Sequence, residues 1–247
     1  MRYALISDIH ANLPALDAVL ADVDAGEGVD AVYHLGDLVG YAPWPNEVVA
    51  RLRERAIPGV QGNYDSTTAT DHDHCGCRYE DPRQEETSHL SYAWTGAHVT
   101  PETKRWLGTL PFRIDLRPLG GHASGPRLIL VHGNAVLNTV YWTEDRSDAF
   151  CLKMARQLGA AAGDVVAFGH THVPWSREVD GIHFVNVGSV GRPKDGDWRA
   201  GYVVLDLDRE RVGVEVVRVS YDVRKACDAI RSSGLPDDFA AHLEAGG

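Results

Sequence analysis

Asp8, His10, Asp37, Asn63, His132, His170 and His172 each stand immediately after a short apolar run. Together they offer imidazole nitrogen, carboxylate oxygen and amide oxygen. That mixture suits manganese, iron, zinc or nickel and serves calcium poorly. Seven donors exceed what one tetrahedral ion needs, so two adjacent ions sharing a carboxylate are the natural solution. None of these residues carries the reading alone, since an isolated Asp-x-His or Asn beside Gly is ordinarily a surface turn.

The elements that must position them follow from the same runs. Ala31-Val32-Tyr33-His34-Leu35 reads as a buried strand that stops at Gly36-Asp37, and Asp37 is the residue the others are arranged to meet. Tyr3 to Ser7 runs into Asp8 and His10, Ile57 to Val60 into Gly62-Asn63-Tyr64-Asp65, Arg127 to Val131 into His132, and Asp164 to Phe168 into Gly169-His170-Thr171-His172. Open α/β sheets place their chemistry at such carboxyl ends, where loops converge without disturbing the core. Helices are expected from Asn12 to Gly26, with Asn12 as cap, and from Asn46, as cap, to about Arg55. Others are expected near Glu85 to Val99, Glu102 to Leu110 and Ser147 to Leu158, with a last one from about Asp222. A further strand is expected at Phe112 to Leu116. Trp175 to Val179, Gly181 to Val187, Gly201 to Asp206 and Arg211 to Val219 alternate as antiparallel strands do. The end at Ala245-Gly246-Gly247 is expected to fray.

At 247 residues the chain suits one large α/β domain spanning 1–247, with a lid-like excursion at about 66–126 where the apolar periodicity loosens. Within that excursion His72, His74, Cys75 and Cys77 offer either a further soft-metal site or a polar lid loop, and their tight spacing favours the loop. No apolar run approaches the roughly 20 residues that span a bilayer. The opening Met1-Arg2 leads directly into a strand, so a cytoplasmic protein with reduced thiols is expected. The formal net charge of −11 argues against broad phosphate-backbone binding, leaving local basic contacts such as Arg192, Lys194 or Arg199. Self-association is left open.

The ordered blocks Asp8-x-His10, Gly36-Asp37, Gly62-Asn63-x-Asp65, His132 and Gly169-His170-x-His172 resemble the calcineurin-like metallophosphoesterase superfamily, in its small prokaryotic phosphodiesterase branch. The resemblance spans most of the chain. It implies a two-sheet mixed β-sandwich with helices on both outer faces. It also implies Asp8, His10 and His172 on a first divalent ion, Asn63, His132 and His170 on a second, and Asp37 bridging them, with manganese first among the candidates. The implied chemistry is attack of a metal-bridging hydroxide on a small, nucleotide-like phosphodiester, with Asp37, Asn63, His132, Tyr64 and Asp65 as the catalytic set. The family's usual histidine after the Asn is here Tyr64. A phenol with pKa near 10 is a poor proton donor to an alkoxide, though its hydroxyl can bond phosphate, and packing as a loop anchor is the other reading. Asn12 has a similar choice between capping its helix and orienting water or phosphate.

Three competitors stand beside this reading. A phosphomonoesterase, including a serine/threonine phosphatase, would use the same centre. A non-catalytic scaffold, as in a retromer subunit with a similar fold, would be expected to lose ligands, and all seven are present. A nuclease on long DNA sits poorly with the acidic charge.

Overall fold

The computed structural model describes residues 1–77, 81–117, 126–208 and 211–247. The expected excursion at about 66–126 is therefore described except at 78–80 and 118–125. Two mixed sheets face each other, with helices on the outer faces, as the resemblance implied. The first sheet runs β2 (Ala31–His34), β1 (Arg2–Ile6), β8 (Ala200–Leu207), β9 (Val212–Val219), with β1 and β2 parallel and the other pairs antiparallel. The second runs β3 (Arg113–Leu116), β4 (Leu128–Val131), β5 (Val165–Phe168), β7 (Ile182–Asn186), β6 (Trp175–Val179), parallel across β4, β5 and β7.

The apolar runs are continuous because the inner strands are buried on both faces. In β1, Tyr3 and Leu5 enter the core between the sheets, while Ala4 and Ile6 meet α1 (Leu13–Ala25) and α2 (Pro45–Glu54). In β4 and β5, Leu128, Leu130, Val165 and Ala167 face the inter-sheet core. Ile129, Val131, Val166 and Phe168 face α6 (Asp148–Leu158).

Four local expectations are corrected. Ile57 to Val60 makes only a single parallel bridge, His34 to Gly59, because Pro58 has no N–H to continue a ladder. Asn63 opens a short helix, α3 (Asn63–Ala69). Asn46 is not a cap: Pro45 starts α2, and the Asn46 amide instead bonds His98 O and Thr100 N, tying α2 to the junction of α4 (Pro82–His98) and α5 (Pro101–Leu107). The last helix is two, α7 (Val223–Ser232) and α8 (Asp238–Ala245), and the end after α8 is held by a hydrogen bond from Gly196 N to Gly246 O.

Candidate metal centre

The loops leaving β1 and β2 are zipped together. Asp8 N donates to Gly36 O at 3.0 Å, His10 N to Asp37 O at 3.0 Å and Ala11 N to Leu38 O at 2.8 Å. In the second sheet Gly169 N donates to His132 O at 2.8 Å, and across the sandwich Gly191 N reaches Asp8 O at 3.0 Å. The zips hold Asp8, His10, Asp37, His170 and His172 at positive φ, between 48° and 67°. Such backbone costs about 1 to 3 kcal/mol per residue and persists only where the surroundings over-determine it. The approach leaves no room for extra atoms: a Cβ on Gly169 would lie 2.1 Å from Ser7 Oγ, and one on Gly62 would lie 2.2 Å from Asp37 Oδ1.

These turns gather two buried groups, Asp8 with His10 and His172, and Asp37 with His132 and His170, whose donor atoms lie within 4.8 Å of one another in each group. Three rings are fixed from behind. His10 Nδ1 faces Val39 O at 3.0 Å, His132 Nδ1 faces Leu35 O at 2.7 Å and His172 Nδ1 faces Arg192 O at 2.6 Å. A carbonyl can only accept, so each Nδ1 carries a proton, and in the neutral ring Nε2 presents a lone pair.

Those lone pairs point at other acceptors. His10 Nε2 and His172 Nε2 are 3.1 Å apart, and Asp8 Oδ1, which has no hydrogen-bond donor, is 3.2 Å from the latter. In the second group His132 Nε2 lies 3.1 Å from Asn63 Oδ1, 3.2 Å from His170 Nδ1 and 3.5 Å from Asp37 Oδ2. Asp37 Oδ2 is also 3.8 Å from His10 Nε2, so one carboxylate oxygen faces both groups. Acceptors packed against acceptors require a cation, and neutral imidazole with carboxylate is the donor chemistry that divalent transition metals take.

Protonation follows the same geometry. Burial, with His172 adding to it, pushes His10 down to about 3, and burial with His132 does the same to His170. Burial and the nearby Lys194 hold His172 well below the ordinary imidazole range. His132 is the exception: burial opposes its charge, but Asp37 outweighs it and raises the ring to about 9. A proton on His132 thus occupies the place of a cation.

The remaining sequence candidates fall around this centre. Asn63 turns its amide nitrogen to Cys75 O at 3.1 Å and Cys77 Sγ at 3.2 Å, which aims its Oδ1 inward. Asp65 belongs to neither donor group. Its oxygens accept from Leu38 N and Gly62 N, each at 2.9 Å, and burial together with Asp37 raises it to about 7. Tyr64 is fully buried, its ring 5.6 Å from that of His10 and 5.0 Å from that of Tyr41, while its backbone N–H donates to Asp37 Oδ1 at 2.8 Å. Asn12 caps α1 through Ala15 N, and its amide nitrogen reaches Gly191 O at 3.0 Å. His72, His74, Cys75 and Cys77 form no third donor group among the described residues. Arg199 is engaged by Asp197. Sequence reasoning missed Ser7, whose hydroxyl sits 2.6 Å from Asp8 Oδ2, and the carbonyls of Leu35, Val39 and Arg192, because their roles are set by backbone turns.

The site has relatives. The family model of the calcineurin-like phosphoesterase superfamily domain matches residues 1–210. The uncharacterized protein MJ0912 of Methanocaldococcus jannaschii is 30% identical over 258 residues, covering 97% of this chain and 96% of that protein. Phosphodiesterase YfcE of Escherichia coli K12 is 27% identical over 218 residues, covering 84% of this chain and 89% of that one. The crystal structure of a metallophosphoesterase from Sphaerobacter thermophilus superposes with a TM-score of 0.76 at 29% identity, over 100% of this chain and 99% of the other. No helix among the described residues is long and apolar enough to cross a membrane. The chain belongs to the calcineurin-like phosphoesterase superfamily, in its small prokaryotic branch, and is a hydrolase of phosphoric ester bonds.

Proposed function

We propose that the protein is a two-metal-dependent phosphoesterase that hydrolyses small, nucleotide-like phosphodiesters. The observation that carries this is the pair of acceptor clusters facing a common Asp37 oxygen. Asp8, His10 and His172 would hold one ion, Asn63, His132 and His170 the other, and Asp37 both, with manganese the first candidate and iron, zinc or nickel the alternatives. The chemistry such ions supply when bound is neutralisation of phosphoryl charge and activation of water near neutral pH. The chain's own part is orientation. The carbonyls of Val39, Leu35 and Arg192 fix three imidazole tautomers, and Ser7 and His170 N hold Asp8 Oδ2 so that Oδ1 stays available. Tyr64 acts as a positioning residue through its N–H on Asp37, and Asp65 braces the turn that carries Asn63. In this reading residues 1–247 form one catalytic domain. The excursion at about 66–126 borders the centre through Cys75 and Cys77, and the protein works in the cytoplasm with no disulfide among its cysteines.

YfcE is named a phosphodiesterase, which favours diesters over monoesters. The test is a panel of p-nitrophenyl diesters, cyclic nucleotides and phosphomonoesters with the manganese-supplemented protein, alongside metal analysis. Two ions per chain and faster diester than monoester hydrolysis are expected. A monoester preference would move the assignment to a phosphatase, and fewer than two ions with no turnover would leave the scaffold reading.

A further inference from the structure

Beside the centre lies positive charge that no described carboxylate pairs with directly. Arg192 is 5% exposed, its guanidinium stacked over the Tyr41 ring at 4.1 Å and 5.4 Å from the ring of Phe239. Its Nε has no hydrogen-bond partner, and its Nη2 faces His242 Nδ1 at 3.3 Å, an interaction that neutralises nothing. Among the described residues neither Arg192 nor the half-buried Lys194 has a carboxylate within ion-pair distance. The neighbouring acids are spoken for: Asp195 pairs with Arg218, Asp197 with Arg199, and Asp238 with Arg83. Burying an unpaired guanidinium is expensive, and cation–π contacts offset only part of that cost.

The two cations adjoin the metal-ligand cluster. Lys194 N donates to His172 O at 3.3 Å, and the Arg192 carbonyl receives the His172 Nδ1 proton. The Lys194 side chain lies near enough to His170, His172, Asp8 and Asp37 to act on all four, while burial and the adjacent Arg192 lower its ammonium from the ordinary range. Two divalent ions against the carboxylates of Asp8, Asp37 and Asp65 already leave enough positive charge for the single anion of a diester. Arg192, and Lys194 in its protonated form, add positive charge that such a substrate would leave unanswered.

We propose that Lys194, backed by Arg192, forms a subsite for a second anionic group of the substrate, beside the phosphoryl that reacts. The preferred substrate is then a phosphodiester that carries a further phosphate or carboxylate near the scissile ester. This rests on the phosphodiesterase reading above.

The experiment compares two p-nitrophenyl phosphodiesters on the manganese-loaded protein. One has ethanol as its second alcohol and the other 2-hydroxyethyl phosphate. A KM about 10- to 100-fold lower for the two-phosphate compound is expected, the range that charge-assisted contacts supply. Lys194→Gln and Arg192→Met should bring the ratio of the two KM values toward one, Arg192→Lys should restore part of it, and Arg199→Gln, whose guanidinium is held by Asp197, should leave it intact. Equal KM values in the wild type overturn the proposal, as do variants that slow both substrates while keeping their ratio. Calorimetric titration with the same two compounds, each with a methylene in place of the scissile oxygen, reads the subsite without turnover. Preferential binding that depends on Lys194, with neither ester hydrolysed, would sink the hydrolytic assignment and keep the subsite. Hydrolysis without preference would do the reverse.

Discussion

Replacing Asp37 by Asn changes almost no volume and removes one charge from the oxygen that faces both donor groups. The bond from Tyr64 N to Asp37 Oδ1, 2.8 Å, survives in the amide, so the turn at Gly36 keeps its anchor. What is lost is the anion 3.5 Å from His132 Nε2 and 3.8 Å from His10 Nε2. At about 4 Å and an effective dielectric constant near 20, a unit charge pair is worth about 4 kcal/mol, roughly a thousandfold in affinity, and each divalent ion would feel more. Asp37→Asn should therefore fall from two manganese ions per chain to one or none, measured by plasma mass spectrometry after gel filtration. Diester turnover should drop about 1000-fold or more. Thermal melting supplies an activity-free check. Manganese at about 100 times its Kd stabilises the wild type by about 2.7 kcal/mol, or about 5 to 10 °C for a chain of this size, and the variant should lose most of that rise. Two ions retained with turnover within tenfold of wild type would refute the idea that this carboxylate joins the two groups.

Between about pH 6.5 and 9 two opposed groups set the stability of the metal-free protein: His132, raised to about 9, loses stability as pH climbs, and Lys194, lowered by burial and Arg192 to about 7, gains it. His10, His34 and His170 are held down to about 3 by burial, so stability rises with pH as the unfolded chain releases protons that the fold does not bind. His132, opposed by burial but raised by Asp37 to about 9, contributes stability that is full below about 6.5 and is lost as pH climbs through about 9. Manganese should remove the His132 contribution, and calorimetry in buffers of different ionisation enthalpy should show about one proton released per chain on binding near pH 8. In Lys194→Gln, which removes the opposing group, a metal-free melting curve that keeps rising to pH 9 would count against the His132 assignment. Tyr64→Phe should keep diester turnover within about twofold, because the ring is fully buried among His10, Tyr41 and Tyr92, whereas Tyr64→Ala should destabilise by about 3 to 5 kcal/mol in urea titration. A Phe variant slowed a hundredfold would make the hydroxyl catalytic after all. Gly169→Ala drives a Cβ to within 2.4 Å of Asp8 Oδ2, so it should cost the ion of the Asp8 group first, leaving about one per chain. Unchanged metal content would show that the loop yields more easily than its contacts suggest.

The strands were legible because each inner strand is apolar on both faces and ends at a polar or glycine residue. Leu128 to Val131 reads identically whether one asks which residues pack inward or outward. The donors were legible for a related reason: a buried strand that ends in Asp or His places that residue at the sheet's rim. Ile57 to Val60 deceived because its composition is strand-like while Pro58 cannot donate and Gly59 packs directly on His34. Asn46 deceived in a different way, since Asn before a helical run ordinarily caps it. Here Pro45 supplies the helix start, and the amide is spent on joining α2 to the α4–α5 junction. Tyr64 left two readings open in the sequence, and burial among His10, Tyr41 and Tyr92 is a tertiary fact that no local pattern carries.

The positive φ angles explain why the centre depends on the whole sandwich. Five of its six acid and imidazole donors sit on backbone that an isolated loop would avoid, and their lone pairs face one another at 3.1 to 3.2 Å. Neither feature is stable alone. The backbone is held by hydrogen bonds between loops of the same sheet, Asp8 to Gly36 and Gly169 to His132, and between loops of the two sheets, Gly191 to Asp8. The lone pairs are satisfied only by positive charge, which in the metal-free chain falls to the His132 proton alone within the second group. The fold therefore fixes where the donors stand, and the electrostatics of those positions fix what must come to meet them.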